Sequence, residues 1–361
     1  MISGDVSYND SQIGSIIEIY EEEIPDLDQK DLIIVGINEF RGSGKEVREH
    51  SADEIRKKFY ELHYWHKEIA IADIGNIKSG SSLGDSYSAI TIVLKELLQL
   101  NKTVVVIGGS HDNTLAQYFA YKELNRIIDA TVVDATIDLR SESTLRSENF
   151  LMEMLTGEPN MVRHYNHIAF QSYFVHPRML ETMDKLRFDC FRVGKVKEEL
   201  SEMEPVIRNS EMFSFDIAAI KNSDAPASDR SPNGLTGEEA CMLMRYAGMS
   251  PSVSSVGIYG YDPSKDSHKL TALQIAQMLW YFIDGKNRSL QESALNDRKN
   301  FNEYHTVFAE LDTVFVQSKK TGRWWMQMPD KKMIACSYKD YLNASSNQIP
   351  ERWLRAQERD I

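Results

Sequence analysis

Residues 131–140, TVVDATIDLR, begin as a β-branched apolar run and then set two carboxylates, Asp134 and Asp138, on either side of Thr136. Two further runs end in similar chemistry. TVVVIGG (103–109) leads into Ser110, His111 and Asp112, and MFSFDIAAI (212–220) carries Asp216. A single carboxylate at a strand end reads as a helix cap or an ion-pair partner. Three such ends together crowd like charges, which raise one another's pKa unless a cation neutralises them. One imidazole with several carboxylates suits manganese or a similar borderline-hard divalent ion better than zinc in a thiolate site. His111, Asp134, Asp138 and Asp216 are therefore candidate metal ligands.

The elements that must bring these residues together follow from periodicity. Strands are expected at 32–37, 68–75, 103–109, 131–138, 167–174, 190–196, 212–220 and 255–262, several of them apolar on both faces, as strands covered by helices are. Amphipathic helical patterns intervene at 51–65, 85–100, 236–249 and 270–285, the first opening on Ser51 with Asp53 and Glu54 in its first turn. This alternation predicts an α/β chain with a three-layer α/β/α architecture and a mostly parallel sheet of about eight strands. In such a sheet ligands bind outside the carboxyl ends of the strands, where the four candidates fall.

The order GGSHD (108–112), DATIDLR (134–140), SFDIA (214–218) and GLTGEEA (234–240) resembles the arginase/agmatinase/formimidoylglutamase superfamily, the ureohydrolases. Their motifs are Gly-Gly-x-His, Asp-x-His-x-Asp, Ser-x-Asp-x-Asp and Gly-Leu-Thr/Ser-x-x-Glu. The likeness runs from about Leu32 to about Lys286, and an acid after the His together with Asp-Leu-Arg makes the formimidoylglutamase branch the nearest. The resemblance implies an arginase-like fold and two manganese ions bridged by a hydroxide that attacks an amidine or guanidine carbon. His111, Asp134, Asp138 and Asp216 match the ligands of the first ion. The second ion's own His and Asp are replaced by Thr136 and Ala218, so that site is lost and a mononuclear centre is expected.

The same resemblance implies roles around the centre. Asp138 is expected to orient the nucleophilic water and Glu239 to contact substrate nitrogen, although acids at 238 and 239 also suit the first turn of a helix. Arg146, Ser147 and Asn149 are candidate contacts for an amino-acid carboxylate, and Arg41 for an anionic substrate at the site mouth. Two functions stay open: a metal-dependent hydrolase of a C–N bond in a linear amidine or guanidine, or a non-catalytic protein of the same fold that binds a small amino-acid-like ligand or a protein partner.

Composition narrows the partners. The 361 residues, 42 % of them hydrophobic, suffice for a large core, and a net charge of −13 argues against a nucleic-acid backbone or an anionic membrane as partner. No run reaches the length of a membrane span, and the Met1 region shows no signal-peptide pattern, so a cytoplasmic location is expected. Cys190, Cys241 and Cys336 read as reduced core thiols. Residues 1–318 are read as the ureohydrolase-like domain. Residues 319–361, basic and carrying Trp324, Trp325 and Trp353, are read as an extension packed on it. RGSGKE (41–46) lacks the spacing of a phosphate loop, and His164, His167 and His176 lack metal spacing, though His164 is a candidate to face the crevice. A homo-oligomer is compatible with the resemblance.

Overall fold

The computed structural model describes residues 7–47, 50–228 and 230–359; the first six residues, part of the segment read as having no leader, lie outside them. Nine strands form one sheet: β1 (Glu18–Ile19), β2 (Leu32–Ile37), β3 (Ile71–Ile77), β4 (Thr103–Ile107), β5 (Ile128–Val133), β6 (Val162–Phe170), β7 (Asp189–Arg192), β8 (Met212–Asp216) and β9 (Ser255–Tyr259). Their order is β1-β3-β2-β4-β9-β8-β5-β6-β7. Every pairing is parallel. The strand beyond the expected eight is β1, two residues long and too short to leave a pattern.

Period-two alternation sends Ile33, Val35, Val104 and Val106 into one core and Ile34, Val105, Val133 and Phe213 into the other. Helices cover both faces. Leu83–Gln99 and Thr114–Glu123 pack in the first core, and Ser51–Tyr60, Gly237–Met249 and Leu270–Leu290 in the second. The expected α/β/α layering is thus present, and the helix from 237 starts in a capping box between Thr236 and Glu239.

Strands β5 and β8 end before their apolar runs do, at the candidate ligands. The Asp134 N–H still reaches Ile168 O (3.1 Å), but beyond it the Thr136 hydroxyl lies 3.1 Å from both Asp134 Oδ2 and Asp138 Oδ1. Local side-chain bonding thereby replaces the ladder. At the end of β8 the Ala218 N–H donates to Asp216 Oδ1 (2.8 Å), which turns the chain into a single 3₁₀ turn, Ile217–Ala219. Residues 193–196, expected to continue β7, lie instead in the helix Val193–Glu198.

After the helix Leu270–Leu290 comes a second, antiparallel sheet: β10 (Phe301–Phe308), β11 (Leu311–Ser318), β12 (Trp324–Gln327) and β13 (Met333–Cys336), in that order. Two helices follow, Tyr338–Ser345 and Glu351–Arg359. The expected division between 318 and 319 falls in the turn joining β11 to β12, where the Ser318 N–H donates to Arg323 O (2.9 Å). Phe308, Phe315, Trp324, Met326, Cys336 and Trp353 form this module's own core.

The module is fastened to the parallel domain by charge. Arg208, 2 % exposed, binds the Glu204 carboxylate (2.9 Å), donates to Trp324 O (2.7 Å) and lies over the Trp325 ring at 4.5 Å. Lys339, Arg352, Arg355 and Arg359 pair with Glu199, Glu202, Asp184 and Asp189. The basic character of the C-terminal segment is thus spent against acids of the main body.

Candidate metal centre

The turn that follows β4 presents His111. Gly108 and Gly109, at φ 86° and 75°, adopt left-handed conformations that other residues resist, and they turn the chain sharply at the strand end. The imidazole is 3 % exposed, and its Nδ1 lies 3.1 Å from Asp134 Oδ2, 3.3 Å from Asp138 Oδ2 and 3.5 Å from Asp216 Oδ2. The four residues expected to meet do meet, across the ends of β4, β8 and β5. Gly260 makes room for one of them: a Cβ there would stand 2.5 Å from Asp216 Oδ1.

The opposite ring nitrogen is held from behind. His111 Nε2 is 3.2 Å from Ser214 Oγ, which is in turn 2.6 Å from Thr114 Oγ1. With Nε2–H donating to Ser214, Nδ1 is the ring nitrogen left to face the carboxylates. The rings of Phe150 (5.0 Å) and Tyr259 (6.1 Å) wall the imidazole. Behind Asp134, His167 Nε2 is 3.2 Å from the Asp134 carbonyl oxygen and its Nδ1 is 2.9 Å from the Tyr165 hydroxyl. Burial outweighs the pull of Asp134 and lowers His167 to about 4, so it is neutral and braces the backbone.

Electrostatics mark the cluster as cation-seeking. Burial disfavours the charged form of His111, yet the adjoining Asp134 and Asp138 carboxylates outweigh it and hold the imidazole well above its ordinary range. Burial and the Asp134 charge push Asp138 up to about 7 and Asp216 up to about 6. Asp134 is burdened by burial too, but His111 keeps it below the usual carboxylate range. His111 Nδ1 and Asp134 Oδ1 are buried and make no aligned hydrogen bond. Nδ1 and one oxygen each from Asp134 and Asp216 lie within 4.8 Å of one another, the sole such cluster among the described residues. Orphaned buried donors of this chemistry fit a divalent cation. A second donor set is absent from the same place: Thr136 spends its hydroxyl on Asp134 and Asp138, and Ala218 offers a methyl group.

The other candidates are placed differently. Arg41 is committed: its guanidinium binds Glu39 (2.6 Å), Ser86 Oγ (3.1 Å) and the carbonyls of Gly80, Ser81 and Ser82, fixing the loop that leads into the helix from Leu83. Every guanidinium nitrogen thus has at least one partner within the chain. Glu239 accepts from the Thr236 N–H (2.7 Å) and from Lys197 Nζ (2.7 Å), and these partners overcome its burial and keep it ionised. Arg146 pairs with Glu153. Ser147 and Asn149 lie with Arg146 in the first turn of Arg146–Thr156, the helix that also carries Phe150. Asn149 Nδ2 donates to Ser143 O (2.7 Å), while its Oδ1 is buried without a partner. His164 faces Asp189 (3.3 Å) at the far edge of the sheet, away from the crevice. Ser214 escaped the sequence reading, although a residue two before Asp216 on one strand must share its face.

Comparison with known proteins agrees with this architecture. The arginase family model matches residues 30–284. A formimidoylglutamase of Staphylococcus aureus (strain bovine RF122 / ET3-1) is 24 % identical over 268 residues, covering 69 % of this chain and 82 % of the relative. One of Geobacillus sp. (strain WCH70) is 24 % identical over 247 residues, 64 % of this chain and 75 % of the relative. Among solved structures, formimidoylglutamase from Bacillus subtilis superposes with a TM-score of 0.69 at 17 % identity, covering 80 % of this chain and 96 % of that one. Trypanosoma cruzi formiminoglutamase with Mn2+ gives 0.68 at 17 %, covering 77 % and 99 %. At such identity the superpositions establish the fold. The matched segment takes in β2 through β9 and all four residues of the cluster, and the chain belongs to the arginase family.

Proposed function

We propose that this protein is a metal-dependent hydrolase of a C–N bond in a linear amidine of the N-formimidoyl-glutamate type, working with one divalent ion. The observation that carries the reading is the convergence of three carboxylates, two buried and one half-buried, on His111 Nδ1, two of them raised toward neutrality. The names of the curated relatives and the manganese in the Trypanosoma cruzi structure point the same way.

His111, Asp134, Asp138 and Asp216 would hold the ion. When bound it supplies a Lewis acid that makes water nucleophilic near neutral pH. The reaction adds the water oxygen to the amidine carbon and breaks its bond to the substituted nitrogen. That nitrogen leaves with a proton as the amine, and formamide is the other product. Asp138, ionised once it ligates the metal, would orient the nucleophilic water through its carboxylate. Ser214 and Thr114 keep the His111 ring oriented, and Phe150 and Tyr259 keep bulk water from it.

The test is metal content after purification in manganese, followed by turnover on formimidoyl-glutamate, arginine, agmatine and guanidino acids. About one ion per chain with amidine turnover is expected. About two ions would overturn the ligand assignment. Absence of both metal and turnover would favour the non-catalytic alternative. Asp134→Ala should abolish any metal-dependent rate, and unchanged turnover would refute the site.

A further inference from the structure

The arginines around the centre differ in one respect. Arg41 faces Glu39 at 2.6 Å, Arg140 faces Glu148 at 3.4 Å and Arg146 faces Glu153. Nearby lysines are also engaged, Lys197 with Glu239 and Lys221 with Asp224. Arg230 is exposed and has no carboxylate partner among the described residues.

Its place is fixed by the backbone on either side. The segment 221–234 leaves the end of β8 just after Asp216 and returns where Leu235 bridges Ile220. Midway it is stapled beside the other carboxylates. Ser231, 4 % exposed, donates its hydroxyl to Gln171 Oε1 (3.2 Å), and Gln171 Nε2 donates to Asn233 O (3.1 Å). The Gln171 N–H donates to Ala135 O (2.9 Å), and Ala135 lies next to Asp134 in the chain. Arg230 is thus one residue from a buried anchor that is itself bonded to the ligand turn, with its side chain in solvent.

An unpaired cation at this rim repels a substrate whose far end is positive and attracts one whose far end is a carboxylate, which a guanidinium can grip through two hydrogen bonds. We propose that Arg230 is the residue that selects an amidine with a carboxylate tail. This rests on the amidine-hydrolase reading for its substrate class but is tested separately from it. A hydrogen bond to a charged group corresponds to roughly 10-fold to 100-fold in binding.

The experiment titrates the manganese-loaded full chain with glutamate by calorimetry for the wild type, Arg230→Gln and Arg230→Lys. It then measures kcat and KM on N-formimidoyl-glutamate and on N-propylformamidine, whose tail carries no charge. The expected result is glutamate binding roughly 10-fold or more weaker in Arg230→Gln and largely restored in Arg230→Lys. KM for the carboxylate-tailed amidine should rise with kcat kept, and values for the propyl amidine should not move. Because the side chain is exposed, unchanged thermal unfolding of both variants serves as the folding control. Equal glutamate affinity in wild type and Arg230→Gln, or no glutamate binding by the wild type, overturns the proposal. Absence of turnover on either amidine sinks the hydrolase reading alone, since the glutamate titration still decides the role of Arg230.

Discussion

Loading the centre with metal should expel protons, and the number is readable from the site. A ligating imidazole must be neutral and a ligating carboxylate ionised. In the metal-free chain His111 is held in its charged form well above its ordinary range, while Asp138 and Asp216 are raised to about 7 and about 6. At pH 6.5, between those two values, the coupled carboxyls together hold about one proton and His111 carries another. Binding at that pH releases about two protons; near pH 8 the carboxyls are already ionised and only the His111 proton, about one, is left to displace. The sign follows: these groups keep their protons at low pH, so affinity falls as pH falls. Manganese affinity should climb about 100-fold per pH unit around 6.5 and about 10-fold per unit around 8, since the slope equals the protons released. Calorimetric titration with manganese in buffers of different ionisation enthalpy counts the protons directly. Asp138→Asn should lower the count at pH 6.5 toward one. A pH-independent affinity with no net proton release would refute the assignment of these residues to the ion.

Three further outcomes are expected. Thr136→His combined with Ala218→Asp should raise manganese from about one to about two ions per chain by elemental analysis, at about 1–3 kcal/mol of stability because both positions are buried; an unchanged count would mean that these are not lost ligand positions. Arg41→Gln strands Glu39, which is 1 % exposed, and should cost about 2 kcal/mol in urea unfolding, less than a fully buried pair because Arg41 keeps 28 % exposure. Substrate KM should stay within about twofold in that variant, and a large KM effect would return Arg41 to the binding site. Arg208→Ala should cost about 3–5 kcal/mol, leave Glu204 unpaired and free the segment from Phe301 to limited proteolysis, whereas wild-type resistance would show that other contacts hold the module.

What the sequence disclosed and what it withheld divide along a physical line. Strands such as β2 and β4 are apolar on both faces, so their existence and parallel arrangement were legible, and β2 matches its expected bounds. The four cluster residues were legible because each lies at or just beyond a strand end, where the fold class itself says a ligand sits. The commitments of Arg41 and Glu239 were legible only in part: Glu39 and Thr236 are two and three residues away, but Ser86 is 45 residues from Arg41 and Lys197 is 42 from Glu239. No periodicity reports such a pairing. The antiparallel sheet was missed for another reason. β10 alternates only weakly, with most of its residues at least partly exposed, and its hydrophobic partners arrive from β12 and the C-terminal helices.

The positions that differ from the family pattern form a consistent set. Each of the three carboxylates has one oxygen facing His111 Nδ1: Asp134 Oδ2, Asp138 Oδ2 and Asp216 Oδ2. Thr136 Oγ1 also lies within hydrogen-bond distance of Asp134 Oδ2 and of Asp138 Oδ1, and the Ala218 N–H takes Asp216 Oδ1. The neutral donors that occupy these oxygens therefore come from residues 136 and 218, where a binuclear centre would place its second ion's own ligands. A cation entering there would have to displace those hydrogen bonds while gaining only a hydroxyl and a methyl group in return. Hydrogen bonding thus helps to hold the carboxylates in place against their mutual repulsion, while Asp134 Oδ1 and His111 Nδ1 are left without aligned partners.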